Sequence, residues 1–206
     1  MSLPSQLERM TRVSPRLWRG KEIPREGIET VSTGHETLDA VLPGGGWPVG
    51  ALTEIIVPHW GIGELRLLLP AMAAMTRAKR WLSWIAPPYL PYGPGLLQAE
   101  VDLNFALVLD VNGCDRDLLW SMEKLLQNSA SGIVMAWPQR LTSGALRRLQ
   151  LTAESAGTLG FLYCLEGIQG SPAALRLQLH PMQQGLKVDI LKARGSWQRQ
   201  TILLSI

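Results

Sequence analysis

The chain has 206 residues, of which 46% are hydrophobic and 18% are charged, with 20 Lys and Arg against 17 Asp and Glu. This length fits one domain with a real core, and the composition excludes global disorder. No apolar run reaches the roughly 18 residues of a membrane span, and residues 1–27 lack the apolar stretch of a signal peptide. Two cysteines, Cys114 and Cys164, exclude a disulfide framework and a Cys-based zinc site. We therefore expect a soluble protein of the reducing cytoplasm.

The charge is unevenly distributed along the chain. Residues 1–27 carry six basic and three acidic side chains, residues 28–174 carry nine and thirteen, and residues 175–206 carry five and one. Basic ends can bind nucleic acid or an acidic partner, whereas charges this sparse can also be simply solvated. Near the C-terminus an indole could stack on a base while cations contact phosphates. The weak nucleic-acid-binding candidates there are Lys187, Lys192, Arg194, Trp197 and Arg199.

The predicted elements alternate between helices and apolar strands. In chain order we predict a helix over 34–42, a turn at 43–48, a strand over 52–57, a loop over 58–63, a helix over 65–78, strands over 80–86 and 105–110, a helix over 115–129, a strand over 132–137, a helix from Thr142 or Ser143 to Ala156, and strands over 161–165, 175–179, 185–191 and 201–204. This alternation is typical of a parallel sheet covered on both faces. The last three strands follow one another without helices, so we expect them to be antiparallel. The predicted fold class is α/β, with three layers, a mainly parallel sheet between helices, and C-terminal antiparallel strands extending one edge.

Residues 52–78 have the strand, glycine-containing loop and helix of a phosphate-binding loop, but not its chemistry. Such a loop needs G-x-x-x-x-G-K-[ST], in which Lys contacts phosphate and the hydroxyl holds magnesium. Here Pro58 replaces the first Gly, Glu64 replaces the Lys and Leu65 replaces the Ser or Thr. Of the motif positions only Gly63 is kept, with Gly61 as a further loop glycine. Because a carboxylate repels phosphate, we expect no tight nucleotide binding at this degenerate loop.

Other residues that could support catalysis are few. The strand over 132–137 ends without the Asp that would bind magnesium, and Pro87-Pro88 stand where a catalytic base would follow the strand over 80–86. Asp110 does end a strand, in a position more typical of a turn or helix cap. The three histidines lack the spacing of metal ligands: His35, His59 and His180. We predict no catalytic residue, no metal and no cofactor, and a protein that is not an enzyme.

Segments before the degenerate loop carry a family resemblance. Residues 32–39 and 42–55 resemble the segment that leads into the phosphate loop of RecA-like recombinases. The motif LPGGGWP at 42–48, with the preceding Leu17-Trp18-Arg19, is similar to the ImuA family of translesion-synthesis-associated proteins.

Later segments extend the resemblance over most of the chain. Residues 64–103 and 132–160 resemble both the ImuA family and SulA, the SOS cell division inhibitor. The run LKARG at 191–195 resembles the end of ImuA proteins and has no counterpart in the shorter SulA.

The resemblance implies a RecA-like fold used as a platform for protein contacts. Residues 1–30 would form an N-terminal arm, and residues 31–206 a single RecA-like domain with a degenerate phosphate-binding loop. The implied partners are ImuB, a Y-family polymerase-like protein, and an error-prone C-family DNA polymerase, in SOS-induced translesion synthesis and DNA repair. RecA itself is a further implied partner, reached by surface mimicry, and the protein would join the nucleoid within such a complex. Leu17, Trp18 and Arg19 are the partner-binding candidates, and the arm could also dock head to tail on a second protomer.

Two alternatives stay open. A SulA-like inhibitor would bind the tubulin-like division protein through the same core, although a minimal inhibitor needs neither the arm nor the C-terminal strands. A recombinase paralogue would bind DNA directly through the basic residues around Trp197, unless that indole packs against a strand edge and the charges are solvated.

Overall fold

The computed structural model describes residues 29–111, 114–196 and 199–206. In this part of the chain the strands are β1 (Thr30–Val31), β2 (Trp47–Pro48), β3 (Ala51–Ile56), β4 (Trp81–Ile85), β5 (Ala106–Leu109), β6 (Ser131–Ala136), β7 (Leu159–Cys164), β8 (Leu175–Met182), β9 (Gly185–Ala193) and β10 (Gln200–Leu204). The α-helices are α1 (Glu36–Asp39), α2 (Leu69–Arg77), α3 (Gly93–Gln98), α4 (Asp115–Gln127) and α5 (Ser143–Ala156), with 3₁₀ helices at Glu64–Leu68 and Leu103–Phe105. Within the described residues, every helix is too short or too polar to cross a bilayer.

Eight strands form one sheet in the order β10-β9-β8-β3-β7-β6-β4-β5. All pairings from β8 through β5 are parallel. Strand β9 is antiparallel to both β8 and β10, so the C-terminal strands extend one edge as predicted. Strand β8 differs from the prediction in one respect, because it is parallel to β3 on its other side. The predicted fold class is confirmed.

Helices cover both faces of the sheet. On one face α4 and α5 form a layer with the underside of β3, β6 and β7, and α4 contributes the stripe Leu118, Met122 and Leu126. This stripe follows from apolar residues four apart, which share one face of a helix. On the other face α1, α2 and the first 3₁₀ helix pack against the larger core cluster. The described chain therefore has the three layers that the sequence predicts.

The ends of α5 follow the local sequence. The Thr142 hydroxyl accepts a hydrogen bond from the Ala145 amide at 3.2 Å, and Gly157 ends the helix in the left-handed conformation with φ of 66°. A hydroxyl at the N-cap and a glycine after the last turn satisfy backbone groups that the helix leaves unpaired. Both predicted boundaries are confirmed.

The helix predicted over 65–78 is instead divided into two parts. A 3₁₀ helix spans Glu64–Leu68, and α2 begins only at Leu69. Pro70 lies in the first turn of α2, where its missing N–H leaves no hydrogen bond broken and its fixed φ suits the helix. The sequence also did not predict α3, which opens with the poor helix formers Gly-Pro-Gly and buries Leu96.

The LPGGGWP motif has a packing explanation. Trp47 is fully buried and meets Phe161 edge to face, with ring centroids 5.2 Å apart. Gly46 passes so close to β1 that a Cβ there would lie 2.3 Å from the Val31 carbonyl oxygen. Only glycine allows this approach. Gly46 therefore lets β2 pair closely with β1 while the Trp47 side chain is buried in the core.

Candidate functional site

Four neighbouring parallel strands end at one edge of the sheet. The loops after β3, β4, β6 and β7 span residues 57–63, 86–92, 137–142 and 165–171, and we call this region the carboxyl edge. Open α/β sheets bind their ligands outside the carboxyl ends of their strands. The degenerate loop lies here, so this edge is the candidate site.

Glu64 turns back into its own loop. Its Oε1 accepts a hydrogen bond from the Gly61 amide at 3.2 Å, and the residue is only 7% exposed. In a phosphate-binding loop such backbone amides point at the bound phosphate. Here the chain's own carboxylate uses one of them. Because Glu64 opens a 3₁₀ helix of five residues, α2 begins well beyond the position at which a phosphate-binding helix would start.

An aromatic stack lies beside Glu64. Trp137, directly after β6, stacks on Tyr163 of β7 with ring centroids 4.7 Å apart and planes 5° from parallel. Burial, and secondarily the negative charge of Glu64, raise the pKa of Tyr163 well above its usual range. The phenol is therefore neutral at every physiological pH. Two large rings and a carboxylate thus occupy the region beneath the loop.

Two clefts flank this stack. One of about 460 Å³ is lined by residues that include Trp60, Leu165 and Ile168, and one of about 250 Å³ by residues that include Glu64 and Tyr89. Both clefts share Trp137 and Pro88. Their walls are mostly apolar, which suits side chains of another protein better than a triphosphate.

The loop after β4 exposes large apolar side chains. Within the segment Pro87–Tyr92, which we call the aromatic loop, Tyr89 is 70% exposed, Leu90 81% and Tyr92 74%. Three such residues close together at one edge are typical of a surface that contacts another protein. In the sequence, this segment is the place of a missing catalytic base and a part of the resemblance over residues 64–103. The alternation of proline and aromatic residues directly after a buried strand was the available signal.

The position of Asp110 in the sheet argues against a magnesium role. It follows β5, the outermost strand, which is four strand spacings from β3. At about 4.8 Å per spacing the separation is roughly 19 Å, too far for a metal shared with the loop. In the described part of the chain, no three His, Cys, Asp or Glu side chains are grouped closely enough to hold a metal ion.

A buried ion pair fixes the loop after β7. Arg176 of β8 contacts both carboxylate oxygens of Glu54, at 2.8 and 3.1 Å, and the Glu54 side chain is fully buried. The Ile168 amide donates to Glu54 at 2.8 Å, and the Ile168 carbonyl accepts from Arg176 at 3.1 Å. Burial and the Glu54 charge also raise the pKa of the neighbouring Cys164 thiol to about 12, so this thiol stays protonated. Glu54 and Arg176 therefore fix the position of Ile168, which lines the larger cleft.

The nucleic-acid candidates are spread over the C-terminal strands and largely paired within the chain. Lys187 lies 3.3 Å from Asp189, the Lys192 ammonium donates to the Ser171 carbonyl at 3.1 Å, and Arg194 bonds Glu154 at 2.8 Å. Burial and the nearby Arg176 and Arg194 lower the pKa of Lys192. Arg199 is exposed just before β10, and Trp197 lies outside the described residues. Direct DNA contact stays a prediction.

The partner-binding candidates Leu17, Trp18 and Arg19 also lie outside the described residues. Their proposed role is therefore unchanged by the structure. The degenerate loop residues Pro58, Gly61, Gly63, Glu64 and Leu65 lie at the carboxyl edge, after β3.

Comparison with known proteins places the chain near one group of division inhibitors. No protein-family model matches it. It is 29% identical over 114 residues to the cell division inhibitor SulA of Yersinia pestis and to that of Yersinia pseudotuberculosis. The aligned region covers 55% of this chain and 67% of each relative. Over slightly more than half its length, the chain is therefore SulA-like in sequence.

Proposed function

We propose that this chain is a non-catalytic RecA-like accessory protein in SOS-induced, error-prone translesion synthesis and DNA repair. The observation that carries the proposal is at the carboxyl edge. There Glu64 accepts a hydrogen bond from a loop amide, and the adjacent aromatic loop is exposed. A fold whose degenerate phosphate loop bonds its own carboxylate, beside exposed aromatic rings and apolar clefts, is suited to binding proteins through that edge.

The loop chemistry supports a role without ATP. Gly61 donates to Glu64, Leu65 cannot ligate magnesium, and Asp110 lies at the far edge of the sheet. Each feature separately disfavours nucleotide binding, and together they weaken the phosphate and metal contacts that a RecA-like ATPase needs.

The resemblance to the ImuA family supports the choice of partners. The LPGGGWP motif, the leader with Leu17-Trp18-Arg19 and the C-terminal LKARG run carry this resemblance. We infer ImuB and an error-prone C-family DNA polymerase as partners, with RecA as a further one. The complex would act in the cytoplasm at the nucleoid, and any DNA contact would be mainly indirect.

A second candidate function is inhibition of cell division. The observation that favours it is the 29% identity to the SulA inhibitors of Yersinia over 114 residues. In that case the same exposed edge would bind the tubulin-like division protein. Both candidates are protein-binding functions of a damage response, so they differ in partner rather than in chemistry.

Co-purification from DNA-damaged cells tests the proposal. The tagged chain is captured and bound proteins are identified by mass spectrometry, beside a Tyr89→Ser/Tyr92→Ser variant whose exposed rings are removed. We expect ImuB and the polymerase with the native chain and at least tenfold less with the variant. Capture of the division protein instead, together with filamentous cells on overproduction, would establish the second candidate and reject the first.

A further inference from the structure

Two carboxylates are buried in the described part of the chain, and only one of them has a cation beside it. Glu54 is fully buried and is paired with Arg176. Glu64 is 7% exposed, and among the described residues no Lys, Arg or His forms an ion pair with it. Its hydrogen bond comes from the neutral Gly61 amide. A buried charge with a neutral partner alone is incompletely compensated, and a cation from outside would complete it.

Glu64 contributes a negative charge to the smaller cleft at the carboxyl edge, which has a volume of about 250 Å³. The aromatic loop forms another wall, where Tyr89 and Tyr92 are mostly exposed. Arg66 also lines this cleft, but its Nη1 atom donates to the Ile206 carbonyl at 3.2 Å instead of pairing with Glu64. Small-molecule pockets usually measure roughly 300–1,000 Å³, so this cleft is better suited to a single side chain.

We propose that this cleft receives an arginine side chain of a partner protein, with the guanidinium beside the Glu64 carboxylate and against the rings of the aromatic loop. A guanidinium is less strongly hydrated than an ammonium, pairs with carboxylates and stacks on aromatic faces. The cleft offers both kinds of contact, and its carboxylate would repel an acidic side chain or a phosphate. This inference rests on the proposed function, since it names the chemistry of the partner at the same edge.

Fluorine NMR of the full chain tests the charge recognition without any partner. The chain has three tyrosines, so 3-fluorotyrosine gives few signals, and Tyr89→Phe and Tyr92→Phe identify the two from the aromatic loop. The probes are N-acetyl-arginine amide and N-acetyl-citrulline amide, which has nearly the same shape but no charge. We expect the arginine probe to half-saturate the shifts of both signals at a concentration at least about fivefold lower than the citrulline probe. Equal half-saturation would overturn the proposal.

Glu64→Gln is the decisive variant, because it removes the charge and keeps an acceptor oxygen for the Gly61 amide. Its matched control is Glu166→Gln, which makes the same change at an exposed residue that lines the larger cleft. We expect the preference for the arginine probe to fall below about twofold in the first variant and to stay at about fivefold or more in the second. A preference that falls equally in both variants, or in neither, would contradict pairing with Glu64.

A salt titration of the native chain covers the case in which Glu64→Gln disturbs folding. Salt screens the attraction between two charges and has much less effect on the stacking of a neutral group. Between about 0.05 and 0.5 M sodium chloride, we expect the half-saturating concentration of the arginine probe to rise about threefold and that of the citrulline probe to change little. Parallel changes for the two probes would overturn the proposal.

Capture from DNA-damaged cells connects the cleft to the proposed partners. We expect the Glu64→Gln chain to retain at least about fivefold less ImuB than the Glu166→Gln chain. Equal capture by the two variants would show that the partner does not use this cleft, which rejects the inference and leaves the proposed function intact. If the native chain captures neither ImuB nor the polymerase, the proposed function fails instead, and the titrations decide whether the cleft binds a guanidinium.

Discussion

At the residue scale, Glu64 illustrates how one side chain can change the chemistry of an edge. The sequence predicts repulsion of phosphate, because a carboxylate replaces an ammonium. The structure adds a second effect, since the same carboxylate accepts the Gly61 hydrogen bond that an anion would otherwise receive. The charge of Glu64 and its hydrogen bond to Gly61 therefore both disfavour phosphate binding at this loop.

Glu64→Lys should not restore nucleotide binding. The new ammonium would be largely buried, the Gly61 amide would lose its acceptor, and Leu65 still could not hold magnesium. We expect the free energy of unfolding in urea to fall by about 1–3 kcal/mol, with no Mg-ATP retained in equilibrium dialysis. Glu64→Gln keeps an acceptor oxygen for the Gly61 amide, so its free energy of unfolding should fall by less. Micromolar Mg-ATP binding by the Lys variant would contradict this account of the loop.

Arg176→Met should be strongly destabilising. The variant leaves a fully buried Glu54 carboxylate without its cation, and the loss for one partner of a buried pair is about 3–5 kcal/mol. Glu54→Gln/Arg176→Met should recover part of this loss, because no buried charge then remains uncompensated. Urea unfolding of the single and double variants forms a double-mutant cycle. Additive losses would show that the pair is not coupled.

At the scale of elements, the C-terminal strands are tied together by Asp189. The Thr201 hydroxyl donates to it at 2.6 Å, Lys187 lies at 3.3 Å, and His180 Nε2 lies at 3.0 Å. The Thr201 hydrogen bond most of all, helped by Lys187 and His180, lowers the pKa of Asp189. The ionised carboxylate thus links β8, β9 and β10.

This link predicts a pH dependence of stability. Because the pKa of Asp189 is lowered on folding, the link stabilises the protein above the ordinary carboxyl value of about 3.9 and is lost as the pH falls through the lowered value. Thr201→Val should therefore lower the urea midpoint more at pH 7 than at pH 3, whereas Thr201→Ser keeps the hydroxyl and should resemble the native chain. A Val effect that is equal at both pH values would refute the role of the carboxylate.

At the scale of the whole molecule, the sheet has two chemically different edges. The carboxyl edge exposes the aromatic loop beside two clefts, while the opposite end holds an aliphatic pocket next to the incoming chain. The exposed aromatic side chains make the carboxyl edge, rather than the aliphatic pocket, the better candidate surface for a partner protein.

Removing the aromatic rings should separate binding from stability. Tyr89 and Tyr92 are mostly exposed, so changing both to Ser should alter the free energy of unfolding by less than about 0.5 kcal/mol each. Partner capture should fall at least tenfold, because exposed aromatic residues are frequent anchors of interfaces. Trp120→Ser is the matched control, since Trp120 is 62% exposed on α4, away from the carboxyl edge. Equal losses of binding in both variants would reject the assignment of the surface.

Patterns within a few residues of one another were sufficient for most elements. The alternation of strands and helices, the stripe on α4 and the cap of α5 all depend on local spacing or local hydrogen bonds, so they could be predicted. The prediction of a helix over 65–78 was wrong in its first turn, because apolar periodicity does not distinguish a 3₁₀ turn from an α turn. Helix α3 was missed because tertiary packing of Leu96 overrides weak local propensity.

The sequence by itself determined the fold class and the departure from the phosphate-loop motif, because both depend on residue types at fixed spacings. Only the tertiary structure decided that Glu64 bonds its own loop, that Trp137 stacks on Tyr163, and that Arg176 pairs with Glu54. The last two contacts join residues 26 and 122 positions apart in the chain, and no local pattern encodes which distant side chains meet. Their partners are set by strand order, since β7 lies between β3 and β6 and β8 lies beside β3.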